Sequence, residues 1–195
     1  MKHTMLRLLL ISPAVYVASL AFSVPVLAQD LSKGFYKIYS NLGPEVKGTC
    51  YDPHEAWVVG LGQAIAMPFT PKVDASVSEI VLGLLYVTGG KDIAIVSLDA
   101  DDNGLPGKAI HTWNVARLGK YRWHSCYVSI AKSKKGLPLK AGTRYWVVGA
   151  APSATWDIWA YTYNDITGNF AYEENNGGWN ADDSYLSAFG VFGTK

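Results

Sequence analysis

Ser78-Glu79-Ile80-Val81-Leu82-Gly83-Leu84-Leu85-Tyr86 is the stretch that decides the fold class. In an extended chain Ile80, Leu82, Leu84 and Tyr86 fall on one face, and Glu79, Val81 and Gly83 on the other. Period-2 alternation of this kind gives a strand a definite core side. The pattern predicts one strand over Val77–Val87, ended by the turn residues Thr88-Gly89-Gly90-Lys91.

Working outward, similar runs recur on both sides, rich in β-branched and aromatic residues and divided by Gly, Pro, Asn and Asp. Strands are expected at Phe35–Tyr39, at Trp57–Phe69 (split near Gly60-Leu61-Gly62), at Asp92–Leu98 and at Ala109–Val115. Further strands are expected at Trp123–Ile130, Arg144–Ala150, Thr155–Tyr163 and Tyr185–Phe192. Asp99 to Gly107 reads as a polar loop, and Asn175-Asn176-Gly177-Gly178 as a turn in a solvated acidic stretch. Helical periodicity is nearly absent. The expectation is all-β: a single jelly-roll-like β-sandwich with its first and last strands side by side.

The amino-terminal end has a different character. Lys2, His3 and Arg7 precede an uncharged, mostly apolar stretch from Leu8 to Leu27. Pro25 and Val26-Leu27-Ala28 complete the layout of a cleaved secretory signal. The division expected is a signal peptide over 1–28 and the sandwich over 29–195. The competing reading is an uncleaved anchor. Cleavage implies a secreted or periplasmic protein, with no membrane attachment once the leader is gone and no sorting tail after Tyr185.

Losing Lys2 and Arg7 takes the 17 basic residues to 15, against 16 acidic ones, a net charge of about −1. With Lys132, Lys134 and Lys135 as the main basic cluster, nucleic acid is not an expected partner. Cys50 and Cys126 form an even pair that an oxidising compartment favours as a disulfide; two buried free thiols are the alternative.

Met67-Pro68-Phe69-Thr70-Pro71, Val96-Ser97-Leu98-Asp99 with Asn103-Gly104-Leu105-Pro106-Gly107, and Leu139-Lys140-Ala141-Gly142-Thr143-Arg144-Tyr145-Trp146-Val147-Val148 resemble a group of bacterial secreted domains called choice-of-anchor R. Trp179 and Ala188-Phe189-Gly190-Val191 fit the same pattern, so the resemblance runs over most of Ala64 to Gly193. It implies a jelly-roll-like sandwich on an exported protein. It implies no activity.

Three kinds of chemistry have residues to support them. Asp99-Ala100-Asp101-Asp102-Asn103-Gly104 is like the start of a calcium loop, with Asp99, Asp101 and Asn103 as side-chain ligands. The twelfth position is Ile110 where an EF-hand has Glu, so a capped hairpin loop competes with calcium, and no other cofactor is implied.

The second signal is aromatic: 7 Trp and 12 Tyr. In Trp156 to Asn164, strict alternation places Asp157, Trp159, Tyr161 and Tyr163 on one face, a platform on which sugar rings can stack. Tyr172 and Trp179 are neighbours that could extend it. The competing reading packs the aromatics as core, which is expected of Trp57, Trp113, Trp123 and Trp146.

Catalysis is the third. Asp157, Asp165, Glu173, Glu174, Asp182 and Asp183 are the carboxyls available to a glycosidase. No nucleophile elbow or metal-protease motif accompanies them, and His54, His111 and His124 have no ligand spacing. The expected function is therefore non-catalytic: an exported module whose partner is a polysaccharide or another cell-envelope component. A structural or protein-interaction module is the alternative, and a carbohydrate-active hydrolase the third reading.

Overall fold

The computed structural model describes residues 21–22, 26–27, 35–43, 51–121, 127–152 and 154–195. These contain fifteen strands and no helix. The first are β1 (Ala21–Phe22), β2 (Val26–Leu27), β3 (Tyr36–Ser40), β4 (Tyr51–Gly60) and β5 (Gln63–Phe69). Next come β6 (Ala75–Leu82), β7 (Leu84–Gly89), β8 (Ile93–Asp102), β9 (Leu105–Ala116) and β10 (Tyr127–Leu139). The last are β11 (Tyr145–Ala150), β12 (Thr155–Thr162), β13 (Thr167–Glu174), β14 (Trp179–Tyr185) and β15 (Phe189–Thr194).

Two sheets form a β-sandwich. The larger runs β1-β9-β8-β11-β5-β4-β12-β7, with the β13–β14 hairpin attached to β5. The smaller runs β2-β10-β6-β15-β3. The first strand after the expected cleavage point, β3, pairs with the last, β15, as the sequence predicts. β1 and β2 lie before that point; a chain cut after Ala28 lacks both and leaves β9 and β10 as sheet edges.

The deciding stretch keeps its alternation but is two strands. β6 belongs to the smaller sheet and β7 to the larger, and the chain changes sheets at Gly83. The Gly83 N–H donates to the Ala188 carbonyl (2.9 Å), and its own carbonyl accepts from Ala160 N (2.9 Å). The crossing residue thus leaves no backbone group unpaired. Ile80, Leu82 and Leu84 are buried in the central core, with Tyr86 packed against it. Val81 and Leu85 point the other way, into a second cluster with Val128, Ile130 and Phe192.

Two expected loops are strands. Asp99 to Asp102 extends β8 and Leu105 opens β9, so only Asn103-Gly104 turns the chain, at φ 54° and 90°. Positive φ at both central residues matches the right-handed twist of a hairpin. The acidic stretch is the hairpin β13–β14, turned at Asn175 and Asn176 with φ 51° and 57°. The sheet section β9-β8-β11-β5-β13-β14 curls until β14 lies against β9. Ala64, Ala66, Trp146, Val148 and Ala171 are buried within the curl, with Trp179 packed on them.

Candidate functional site

The expected aromatic platform does not form, because the alternation of β12 breaks in its middle. Thr155, Asp157 and Trp159 are buried; then Ala160 and Thr162 are, while Trp156 and Tyr163 are exposed. The phase slips between Ala160 and Tyr161: Ala160 pairs with Ala56, but Tyr161 pairs with Asp52. β4 carries an excursion at residues 53–55 that β12 does not match, a bulge that re-aims every later side chain. Trp159 is fully buried; its indole Nε1 donates to the Ala188 carbonyl (2.9 Å) and its ring meets Phe189 edge-on. Trp179 faces the cluster inside the curl. Of the expected face only Tyr161 and Tyr163 reach the surface, Tyr163 at 44% exposure.

Asp157 is also interior. It is 0% exposed, and neither carboxyl oxygen has a hydrogen-bond partner. Burial, with the charge of Asp92 adding to it, pushes its pKa up to about 7.

Two of the three expected calcium ligands, Asp101 and Asn103, have other partners. Asp101 accepts from the Trp146 indole (2.8 Å) and from Gly104 N (3.1 Å), with Arg144 at 3.9 Å. Asn103 donates its amide to Asp102 (2.9 Å). Asp99 is buried with Oδ1 unpaired, and burial raises its pKa. Among the described residues no group of three or more His, Cys, Asp or Glu could hold a metal. The hairpin-loop reading explains these residues: the carboxylate of Asp101 caps the turn and anchors a tryptophan. Cys50 and Cys126 lie outside the described residues, as do Trp123 and His124. His111 is exposed and edge-on to Trp113.

A cleft opens elsewhere, between β4 and β13. β11 occupies one side of β5. On the other side Gln63 to Ala66 pair with Glu174 to Ala171 of β13, and Asn175 N donates to the Gly62 carbonyl (2.7 Å). β4 pairs with β5 only at the turn, where Gly60 meets Gln63, and so leaves a space facing β13. The gap between them holds about 190 Å³ and is lined by Trp57 and Val58 (β4), Gln63 and Ile65 (β5), Phe170, Tyr172 and Glu174 (β13) and Asp182 (β14).

The hairpin register puts these residues on one face. Phe170, Tyr172 and Glu174 alternate along β13, and Asp182 lies opposite Phe170. Trp57 stacks on Phe170 with centroids 4.6 Å apart, and its Nε1 donates to the Tyr185 carbonyl (2.8 Å). Tyr161 meets Trp57 edge-on (5.6 Å) and stacks on Tyr185 (5.3 Å). Five rings, from Tyr185 through Tyr161, Trp57 and Phe170 to Tyr172, thus form one continuous set. Burial raises the Tyr161 pKa, with Glu55 and then Tyr185 adding to the effect. Gln63 Nε2 donates to Glu174 Oε1 (3.2 Å), and Asp183 N donates to Asp182 Oδ1 (2.8 Å).

Of the cleft's lining only Tyr172 had a place in the ligand site read from the sequence; Trp57, Val58, Gln63, Ile65, Phe170, Glu174 and Asp182 did not. The alternation of Phe170, Tyr172 and Glu174 ahead of an Asn-Asn-Gly-Gly turn was the signal available for the hairpin. Nothing local marked Trp57 as its partner, since the cleft is made by strands over a hundred residues apart. No protein-family model matches the chain, and no curated protein does.

Proposed function

We propose that the protein is an exported, non-catalytic module that binds carbohydrate along the cleft between β4 and β13. The observation that carries this reading is the lining: aromatic rings beside two carboxylates and an amide. Rings offer flat apolar faces to a sugar, and carboxylates and amides accept or donate to its hydroxyls. The space is below the roughly 300 Å³ of pockets that enclose drug-sized ligands, and suits a chain laid along an open groove. The leader expected over residues 1–28, and the resemblance to an exported domain group, are in keeping with a ligand met outside the cytoplasm.

The carboxylate spacing favours binding over hydrolysis. Asp182 lies opposite Phe170, four residues along β13 from Glu174, which is about 13 Å of strand. Glycosidase carboxyl pairs sit about 5–9.5 Å apart.

The test is depletion of the exported protein from solution by a panel of insoluble polysaccharides, with soluble sugar ends assayed in the same tubes. Saturable depletion without sugar release is expected. Tyr172→Ala should remove it while keeping the thermal midpoint, and Tyr172→Phe should retain it. Sugar release abolished by Glu174→Gln would mean a hydrolase. Absence of both depletion and release would leave a structural or protein-interaction role.

A further inference from the structure

We infer that the cleft selects glycans bearing free, protonated amino groups over neutral or anionic ones; this rests on the carbohydrate reading above. Three observations converge on it. Among the described residues that line the cleft none is basic, and two are carboxylates. Both carboxylates are held by neutral donors, Glu174 by the Gln63 amide and Asp182 by the backbone of Asp183. Their charge is thereby positioned without being neutralised. The rings beside them carry negative faces, which attract a cation where they attract no anion.

The third observation is the stretch that supplies β13 and β14, one wall of the cleft. From Tyr145 to Thr194 the sequence holds six carboxylates, Asp157, Asp165, Glu173, Glu174, Asp182 and Asp183, and no Lys, Arg or His. Among the described residues, Lys132 pairs with Glu79, Lys140 with Asp74 and Arg144 with Asp101, none of them lining the cleft. A cleft walled by one sign of charge concentrates ligands of the other sign and repels its own. An ammonium on a sugar ring would make a charge-assisted hydrogen bond to a carboxylate while the ring itself lies on Tyr172 or Trp57. N-acetylation of that amine removes the charge and leaves the ring.

The experiment compares β-linked glucosamine oligomers of one length in fully de-N-acetylated and fully N-acetylated form, titrated into the exported protein at low and high salt. The amino form should bind about tenfold more tightly or better, the factor that one strengthened charge contact of about 1.4 kcal/mol makes. Salt should shrink that ratio. Glu174→Gln and Asp182→Asn, singly and together, should carry it toward one. Asp102→Asn, on the distant β8–β9 turn, should leave it unchanged. Equal affinity for both forms overturns the charge selectivity and leaves carbohydrate binding standing. A ratio that survives the double substitution also overturns it, by placing the attraction outside the cleft. Binding of a lysine-rich peptide with no binding of either oligomer overturns both readings.

Discussion

At Asp157 the chain keeps a carboxyl where it has neither water nor a partner. Such a group holds its proton or destabilises what surrounds it. Burial first, and Asp92 second, raise its pKa from 3.8 to about 7. The folded protein therefore keeps a proton that the unfolded chain loses across that interval. The stability this group contributes is whole below pH 3.8, falls as pH rises, and is lost above about 7. Over the full window the linkage amounts to roughly 4 kcal/mol. Urea unfolding at about pH 5 and about pH 8 should show the natural protein weaker at the higher pH, and Asp157→Asn should flatten the difference. An equal difference in both proteins would assign it to other groups. Trp159, one register position away on the same face, gives the second prediction at this scale. Trp159→Ala should cost about 3–5 kcal/mol of stability, read by denaturant midpoint, because it empties a fully buried site beside Gly149 and Phe189. Loss of ligand with an unchanged midpoint would instead place that ring in a site. The wealth of aromatics was plain in the sequence. The side on which Trp159 and Tyr161 lie was not, because it depends on a bulge whose other half is at residues 53–55.

The β13–β14 hairpin shows the same limit one level up. Gly168, Asn169, Glu173, Glu174, Asn180, Asp182 and Asp183 have poor strand propensity, and a loop was the natural reading of them. Pairing with β5 overrides that propensity, and the two faces are then used differently. Ala171 goes into the curl with Ala64 and Ala66, while Phe170 and Tyr172 go to the cleft. The turn depends on Asn175 and Asn176, both at positive φ. A β-branched residue is a conformational outlier there. Asn176→Val should therefore fray the hairpin locally: backbone amides of β13 and β14 should exchange hydrogen faster, while those of β6 and β15 keep their protection. The proposed glycan binding should weaken in step with that fraying. Exchange rising equally in every strand would show instead that the hairpin and the sandwich open as one unit.

Across the whole molecule, what was legible followed from local alternation, and what was hidden followed from pairings between distant segments. The class of fold, and the meeting of first and last strands, could be read from strand signals and turn residues. The change of sheets at Gly83 and the meeting of β4, β5 and β13 around the cleft could not, since neither leaves a mark within one segment. The same non-local wiring governs folding. β15, the last strand, is an interior strand of the smaller sheet, between β6 and β3, and its Phe189 and Val191 are buried in the central core. The Ala188 carbonyl beside it receives both the Trp159 indole and the Gly83 N–H. A chain ended after Tyr185 thus loses an interior strand and leaves β6 with only β10 beside it, two buried donors without an acceptor, and an open apolar face. Loss of an edge strand would cost part of the stability; loss of this one removes the surface on which the two sheets meet. The truncated chain should lack the near-ultraviolet circular dichroism of packed aromatics and unfold without a cooperative transition. A sharp thermal transition in that chain would show that the larger sheet folds alone around its own curl, with the smaller sheet added afterwards.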